Sequence, residues 1–287
     1  MKIPSAKSIS RRKLLGAGLA TALMARGGSG AALADNTAPF RAHVELTRRR
    51  VLDQHAIPVH GYKITNTFPH DRTSYTEGLV MVDGAIIEGT GLYGQSRLLH
   101  WDPASGRQLN EIALQRDLFG EGIAVLDGVI HQLTYIENVR FTYDLKSFAR
   151  TGQGRCEAQG WGMTQDGSSL ITSNGSSAIS FRNPTSFEIV KTIYVSDETG
   201  PVGFLNELEY ANGVLYANVW QTEFIVQIDP ATGRVIGWIN LAGLNPEPQV
   251  LVYPLVLNGI AYDDRSGRLL VTGKCWPHLY EIEVLPA

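Results

Sequence analysis

The sequence predicts an all-β protein, a five-bladed β-propeller with four antiparallel strands in each blade. Two observations predict this fold: a hairpin pattern that occurs five times, and a strand–turn–strand pattern between successive hairpins. Hairpin starts recur every 40 to 52 residues, and four strands at such a period are typical of propeller blades. The hairpins are Glu77–Gly91, Glu121–Tyr135, Trp161–Gly175, Asn206–Trp220 and Asn258–Lys274.

A glycine-containing turn separates two short apolar strands in each hairpin. The D-G and N-G pairs at 83–84, 127–128 and 212–213 are typical of hairpin turns, because glycine readily adopts the positive φ that such a turn requires. Between hairpins, segments such as "FIVQIDPATGRVIGWINL" (224–241) have the pattern of a strand, a polar turn and another strand.

The fifth unit lacks one strand, because the chain ends after "HLYEIEVLPA" (278–287). The unpaired edge of a sheet needs a partner or a cover. The segment "HGYKITNTF" (60–68) alternates suitably, and we predict that it completes the last blade and closes the ring. An open sandwich or solenoid of five hairpins is the alternative architecture.

The first 34 residues have the pattern of an export signal. Arg11 and Arg12 precede a short apolar stretch, and the small residues at 32–34 fit a cleavage position. We expect a bacterial protein exported by the twin-arginine route to the periplasm or the exterior. Residues 35–57 form a polar lead segment, whose basic run Thr47–Arg50 we expect to be solvated, and residues 58–287 form the propeller domain.

Charge and composition exclude several classes of partner and cofactor. Residues 1–34 hold six of the 25 basic residues and none of the 28 acidic ones, so the rest of the chain has a formal charge of −9. Such a chain is a poor ligand for nucleic acid or an anionic membrane, and we expect a monomer. The sequence offers no zinc motif. Whether Cys156 and Cys275 form a disulfide is left open.

The stretch "GTGLYG" (89–94) fits the G-x-G-x-x-G pattern of dinucleotide-binding folds. That pattern is meaningful only where a strand enters it and a helix leaves it. The following residues contain Pro103 and a turn, so no helix of useful length fits. We therefore expect these glycines to be turn residues at the end of the second strand of the first blade.

The first and last residues of a hairpin lie at the same end of it, so two sets of residues share one rim of the propeller. In a propeller, the first strand of each blade lines the central channel. The rim therefore collects carboxylates, amides, a lysine and aromatic side chains, which is how a symmetric scaffold builds an asymmetric site. The first column is Glu77, Glu121, Trp161, Asn206 and Asn258, and the second column is Gly91, Tyr135, Gly175, Trp220 and Lys274.

Long motifs in these repeats resemble the glutaminyl-peptide cyclotransferases of plant and bacterial type. The resemblance runs from Tyr62 to Ile282 and implies a five-bladed propeller unrelated to the zinc-dependent animal enzymes. It implies no cofactor and no metal. The motifs are FPHDRTSYTEGL, GTGLYGQS, FGEGI, QGWGMT, LNELEYANGVLYANVWQT, LNGIAYD and VTGKCWP.

The resemblance also implies roles for individual residues. The family's general acid/base glutamate matches Glu121, its asparagine Asn206 and its lysine Lys274. A further pocket position, glutamine in plant members and glutamate in bacterial ones, is Glu77. The chain departs from the family at Tyr135, where tryptophan is usual, and this change alters pocket width or polarity without removing a catalytic group. The remaining pocket aromatics are Tyr75, Trp161 and Trp220.

The implied reaction is cyclisation of the N-terminal glutamine of a peptide or protein to pyroglutamate, with loss of ammonia. Two alternatives come from other classes of protein. One is a non-catalytic propeller whose rim binds a peptide or protein. The other is a calcium-dependent propeller hydrolase of the lactonase kind, in which Glu77, Glu121, Asn206 and Asn258 would hold the ion.

Overall fold

A computed structural model describes residues 38–54, 56–245 and 255–287, with side chains from residue 41 onward. The predicted export signal lies outside the described residues. The chain divides into two compact units, Met1–His43 and Val44–Ala287, and the second contains every strand of the described residues. The segment boundaries at residues 34 and 57 stay predictions.

A helix that the sequence analysis did not predict lies in the lead segment. Helix α1 spans Ala38–Leu52, and its residue Val51 is fully buried in the second unit. The prediction that Thr47–Arg50 is solvated is wrong at both ends of the run. Thr47 is buried, and Arg50 donates from Nε and Nη2 to the two carboxylate oxygens of Asp197, at 2.7 and 2.8 Å. The cause is the helix, which turns one face of the run towards the protein.

The strands follow in chain order as two leading strands, β1 and β2, and then the blades. The leading strands are β1 Val59–His60 and β2 Tyr62–Pro69. Blade 1 is β3 Thr76–Val82, β4 Ala85–Thr90, β5 Arg97–Asp102 and β6 Arg107–Ala113. Blade 2 is β7 Gly120–Leu126, β8 Val129–Thr134, β9 Val139–Asp144 and β10 Arg150–Arg155.

The later blades repeat this order, with one small hairpin inserted between blades 3 and 4. Blade 3 is β11 Met163–Gln165, β12 Leu170–Thr172, β13 Ala178–Arg182 and β14 Ile189–Tyr194. The inserted hairpin is β15 Ser196–Asp197 and β16 Gly200–Pro201. Blade 4 is β17 Leu205–Ala211, β18 Val214–Val219, β19 Phe224–Ile228 and β20 Val235–Asn240. Blade 5 begins with β21 Leu257–Asp263, β22 Arg268–Gly273 and β23 His278–Val284.

Strand β2 completes blade 5, as the sequence predicts. It pairs antiparallel with β23, with Tyr62 opposite Val284 and Phe68 opposite Leu279. The blade therefore contains one strand from before the first hairpin and three from the end of the chain, which closes the ring. Strand β1, which was not predicted, adds a fifth strand to blade 4 by pairing parallel to β20.

Apolar side chains fill the interfaces between neighbouring blades. Five buried clusters lie between blades 1 and 2, 2 and 3, 3 and 4, 4 and 5, and 5 and 1. The last of these packs Leu79 of β3 against Ala261 and Leu270 of blade 5. Because each blade buries its faces against both neighbours, the ring is closed by hydrophobic burial as well as by strand pairing.

The inner strands approach one another closely where glycine follows a first-column residue. Gly122 N donates to Trp161 O at 2.7 Å, and a Cβ on Gly122 would lie 2.5 Å from Met163 N. A Cβ on Gly162 would lie 2.0 Å from Asn206 O. No side chain fits at these two positions, so the recurring glycine keeps the channel narrow.

Candidate functional site

Four of the five inner strands carry an irregularity in register at their first residues. In β3, Thr76 pairs with Thr90 and Gly78 with the adjacent Gly89, which leaves Glu77 as an extra residue. Such a bulge changes the direction of a side chain. The register also shifts at the start of β7, β17 and β21. These bulges contain the first-column residues Glu77, Glu121, Asn206 and Asn258.

The second column lies at the same end of the blades, as predicted. Backbone hydrogen bonds join residues that flank the two strands of a hairpin: Gly91 N donates to Tyr75 O at 2.8 Å, and Lys274 N donates to Val256 O at 2.9 Å. Equivalent bonds in blades 2 and 4 start from Tyr135 and Trp220. Both columns therefore belong to one rim, which we call the site rim.

A buried ion pair joins blades 1 and 5 at the site rim. The Lys274 ammonium group contacts the Glu77 carboxylate, and each side chain is 3% exposed. Lys274 Nζ also lies 4.3 Å from the centre of the Tyr75 ring, a cation–π arrangement. Asn258 Nδ2 donates to Glu77 Oε2 at 3.3 Å and to Thr76 O at 2.9 Å. The Lys274 cation and the Asn258 amide hold the Glu77 carboxylate, and the Tyr75 ring holds the cation.

Glu121 is hydrogen-bonded to Glu77, so two carboxyl groups share one buried site. Burial raises the pKa of Glu121 well above its usual value, and the nearby charge of Glu77 raises it further. Burial also raises the pKa of Glu77, although Lys274 acts in the opposite direction. The pair can share a single proton, and because Lys274 stabilises the charged form of Glu77, Glu121 is the member of the pair that binds this proton more tightly.

Aromatic rings line the site rim beside these charges. The Phe119 ring packs edge-on against Tyr75, with centres 6.2 Å apart, and lies 5.9 Å from the Tyr135 ring. All three side chains are buried. Phe119 was not singled out from the sequence. Its position two residues before Glu121, in the quoted motif FGEGI, was the available signal.

A second aromatic group and Asn206 lie on blades 3 and 4 of the site rim. The Trp161 and Trp220 rings pack edge-on with centres 5.6 Å apart, and Phe204 stacks on Trp220 at 6.4 Å. Asn206 is 3% exposed. Its backbone oxygen accepts from Ser173 Oγ at 2.7 Å, which anchors the start of β17.

Three first-column side chains carry a buried polar atom with no hydrogen-bond partner in the described part of the chain. Buried polar atoms are usually paired. Ten such atoms lack a partner among the described residues, and the three at the site rim can pair with a polar ligand. The atoms are Trp161 Nε1, Asn206 Oδ1 and Asn258 Oδ1.

Glu207 and Glu209 lie in the same strand as Asn206, but their carboxyl groups form hydrogen bonds to other blades. Glu207 accepts from Leu79 N at 3.2 Å and from Ile260 N at 2.8 Å, so its carboxyl group joins blade 4 to blades 1 and 5. Glu209 accepts from Tyr262 N at 2.8 Å and Thr164 Oγ1 at 3.2 Å. Neither of these buried acids was singled out from the sequence.

The "GTGLYG" stretch is a turn, as expected. Strand β4 ends at Thr90, and β5 begins at Arg97, with no helix between them. Leu92 and Gly94 have positive φ values of 82° and 75°. A Cβ on Gly91 would lie 2.3 Å from the Phe119 ring, so glycine there makes room for the aromatic wall of the site.

The described residues contain no group of three or more His, Cys, Asp or Glu side chains arranged to hold a metal ion. Of the four ligands that a calcium site would need, Glu77 contacts the Lys274 ammonium group instead. Cys156 and Cys275 are both free thiols, which answers the question that the sequence left open.

Across the ranges that the structure describes, no helix is long and apolar enough to cross a membrane.

Comparisons with known proteins point to one family. The sequence model of the glutamine cyclotransferase family matches residues 37–284. A glutaminyl-peptide cyclotransferase of Arabidopsis thaliana is 35% identical over 229 residues, which cover 78% of this chain and 72% of the relative. The crystal structure of Myxococcus xanthus glutaminyl cyclase is similar with a TM-score of 0.76 and 34% identity, covering 80% of this chain and 99% of that chain.

Proposed function

The chain belongs to the glutamine cyclotransferase family, and we propose that it converts the N-terminal glutamine of peptides and proteins to pyroglutamate with release of ammonia. One observation carries this proposal above the others. A buried carboxyl group, Glu121, shares a hydrogen bond with Glu77, which is itself held by Lys274 within a rim of aromatic rings.

The reaction needs no external nucleophile. The α-amine nitrogen of the substrate forms a bond to the carbonyl carbon of its own side-chain amide, and the bond from that carbon to the amide nitrogen breaks. One proton leaves the amine and one joins the departing nitrogen, so the products are a five-membered lactam and ammonia. The enzyme therefore has to hold a bent conformer and move protons.

Glu121 is the group that moves the protons in this proposal. An α-amine has a pKa of about 8, so much of it is protonated and unreactive at neutral pH. In its deprotonated form, a carboxyl group with a raised pKa accepts a proton from the amine, and it then returns this proton to the departing ammonia. General acid–base catalysis of this kind contributes roughly 10²–10⁴-fold.

Lys274 and Asn206 stabilise the charge that develops on the amide oxygen. An ammonium group has three N–H donors, so Lys274 can keep its contact with Glu77 while it donates to the substrate. The Asn206 amide donates from Nδ2 to the substrate oxygen, and its unpartnered Oδ1 accepts from the substrate's amide nitrogen. Buried donors of this kind are most effective where water is excluded.

Four aromatic side chains exclude that water and shape the pocket for a glutamine side chain. Tyr135, where the family usually has tryptophan, gives a smaller ring and a polar hydroxyl on one side of the pocket. The four wall residues are Tyr75, Tyr135, Trp161 and Trp220.

Incubation with a short peptide that begins with glutamine tests the proposed function. We expect release of free ammonia and a product lighter by one ammonia, with no loss of rate in EDTA. The same peptide with an acetylated N-terminus is the control, since its amine cannot attack. Absence of ammonia from the unblocked peptide would mean that the proposed activity is wrong, and inhibition by EDTA would favour the calcium-dependent alternative.

We propose further that the protein acts as a monomer in the bacterial periplasm or exterior after twin-arginine export. The basis is the Arg11-Arg12 pair, the small residues before position 35 and the closure of the ring within one chain. Replacing both arginines with lysine should retain the protein in the cytoplasm. Export of that variant, or a dimer in light scattering, would contradict the respective part of this proposal.

A further inference from the structure

A hydrogen bond between Tyr93 and Glu137 bridges blades 1 and 2 at the site rim. Tyr93 Oη donates to Glu137 Oε1 at 2.7 Å. Tyr93 lies in the turn after β4 and Glu137 in the turn after β8, which are the turns that follow the second-column positions Gly91 and Tyr135. Tyr93 is 39% exposed, and Glu137 is partly exposed. We call this pair the lip.

The lip rests directly on the buried wall of the site. The Tyr93 ring packs edge-on against Phe119, with centres 5.4 Å apart, and Phe119 in turn contacts Tyr75 and Tyr135. Phe119 N donates to Glu137 Oε2 at 3.5 Å. A continuous line of contacts therefore runs from the partly exposed Glu137 carboxylate through Phe119 to the Tyr75 ring beside Lys274.

Two donors hold the Glu137 carboxylate, one on each oxygen, so its position is defined although it is partly exposed. Burial and the hydrogen bond to Glu137 raise the pKa of Tyr93, so its hydroxyl remains a donor at neutral pH. The charge of Glu137 also acts on Glu121, where it contributes to the raised pKa of that carboxyl group. Glu137 is thus within electrostatic range of the reacting end of the site.

Arg116 is an exposed charged residue near the lip, and the buried Glu121 also acts electrostatically on Tyr93. Arg116 approaches the turn at Gly94: a Cβ on that glycine would lie 3.8 Å from Arg116 Nε. The salt bridges found among described residues include none between Arg116 and Glu137, so the Glu137 charge is not neutralised by an ion pair with this arginine.

When the first residue of a peptide occupies the pocket, the rest of the peptide must extend outwards past the site rim. We propose that Glu137, oriented by Tyr93, selects the residue that follows the cyclising glutamine, favouring lysine or arginine and disfavouring aspartate or glutamate. This inference rests on the proposed function. It adds to it a preference that the buried catalytic groups cannot set, because they contact only the first residue.

Rates on two peptides that differ only at the second position, Gln-Lys and Gln-Glu, test the inference. We expect the wild-type protein to have the higher kcat/KM on Gln-Lys, with the difference mainly in KM. Glu137→Gln should reduce the ratio of the two kcat/KM values by roughly 3- to 10-fold, because the variant loses one exposed ion pair with Gln-Lys and one repulsion with Gln-Glu. Added salt should also reduce the wild-type ratio of kcat/KM on Gln-Lys to that on Gln-Glu, because salt screens the Glu137 charge.

Asp127→Asn is the matched control. Asp127 is an exposed carboxylate at the opposite end of the same hairpin, and its φ of 51° is one that asparagine tolerates. This variant loses the same charge from the acidic chain as a whole, so its peptide ratio should stay at the wild-type value. Tyr93→Phe, which keeps the ring on Phe119 and removes the hydroxyl, should lower the ratio by a smaller factor.

The outcomes separate this inference from the proposed function. If Glu137→Gln and Tyr93→Phe both turn over the peptides with an unchanged ratio, the lip does not select the second residue and the inference is wrong. If Asp127→Asn lowers the ratio equally, the preference comes from the net charge and not from the lip. If the wild-type protein releases ammonia from neither peptide, the proposed function itself fails.

Discussion

The Lys274 ammonium group contacts the Glu77 carboxylate across the interface between blades 5 and 1, and both side chains are almost wholly buried. Such a pair loses much hydration and contributes little to the net stability of the fold. Its main effect is on the pKa values of the neighbouring carboxyl groups. Lys274 lowers the pKa of Glu77, and the charge of Glu77 raises the pKa of Glu121. The first and last blades thus meet at the site through one ion pair.

We predict that Lys274→Ala weakens catalysis without unfolding the protein. Loss of a buried donor to the developing oxyanion typically lowers kcat by roughly 10²–10³-fold. Because Lys274 lowers the pKa of Glu77, Glu77 should take up a proton in the variant and avoid a buried, unpaired charge. Turnover of a glutamine peptide and the melting temperature measure the two effects.

The exposed Lys146 offers a control, since Lys146→Ala removes the same charge from the surface. A collapsed melting temperature for Lys274→Ala alone would identify Lys274 as a structural residue. Normal turnover would remove it from the proposed mechanism.

Glu77→Gln should move the acidic limb of the pH–rate profile to lower pH. The charge of Glu77 raises the pKa of Glu121, and Lys274 lowers it. The variant removes the first effect and leaves Lys274 to act on Glu121 alone, so both changes lower the pKa of the general base. A base is active when deprotonated, and activity therefore appears at lower pH. A limb that stays or moves to higher pH would contradict the coupling of these two carboxyl groups.

Much of the site could be predicted because a hairpin brings its own ends together. The repeated hairpin pattern predicted that Glu121 and Lys274 lie at the same end of the blades. The alternating segment before Glu77 predicted how the ring closes. The bulges that direct Glu77, Glu121, Asn206 and Asn258 towards the rim could not be predicted. A bulge depends on the pairing register between two strands, which the apolar pattern alone does not specify.

Buried acids and the lead helix were the other features that the sequence did not reveal. Glu207 has the same residue type and neighbourhood as a catalytic glutamate, and only its bonds to Leu79 N and Ile260 N show that it joins blades. Helix α1 was missed because the segment was interpreted from its basic run Thr47–Arg50, although it also contains apolar residues such as Val44 and Val51. Arg50 is bound by Asp197, a residue 147 positions away in the chain, and no local pattern can indicate such a partner.

Glu209 should make the protein less stable as the pH rises. Burial raises its pKa to about 8, above the value in the unfolded chain, so the folded state binds an extra proton between those two values. The contribution of Glu209 to the free energy of unfolding is complete at pH values below its pKa in the unfolded chain. It is lost as the pH rises towards 8, and the loss is on the order of 2–4 kcal/mol.

Chemical denaturation of Glu209→Gln across that pH range should therefore show a smaller decline than the wild-type protein. Part of the decline should persist, because burial also raises the pKa of Glu207. Glu283→Gln, on the exposed side of β23, is the control and should leave the decline unchanged. An equal decline in wild type and Glu209→Gln would show that Glu209 does not take up the proton.

Turnover of a glutamine-initiated peptide by Glu121→Gln tests the central claim most directly, because this change keeps the shape of the side chain and removes its ability to exchange a proton. We predict an unchanged melting temperature to within a few degrees and a loss of kcat of roughly 10²–10⁴-fold, while Glu283→Gln retains full activity. Near-normal turnover by folded Glu121→Gln would contradict the assignment of proton transfer to this carboxyl group.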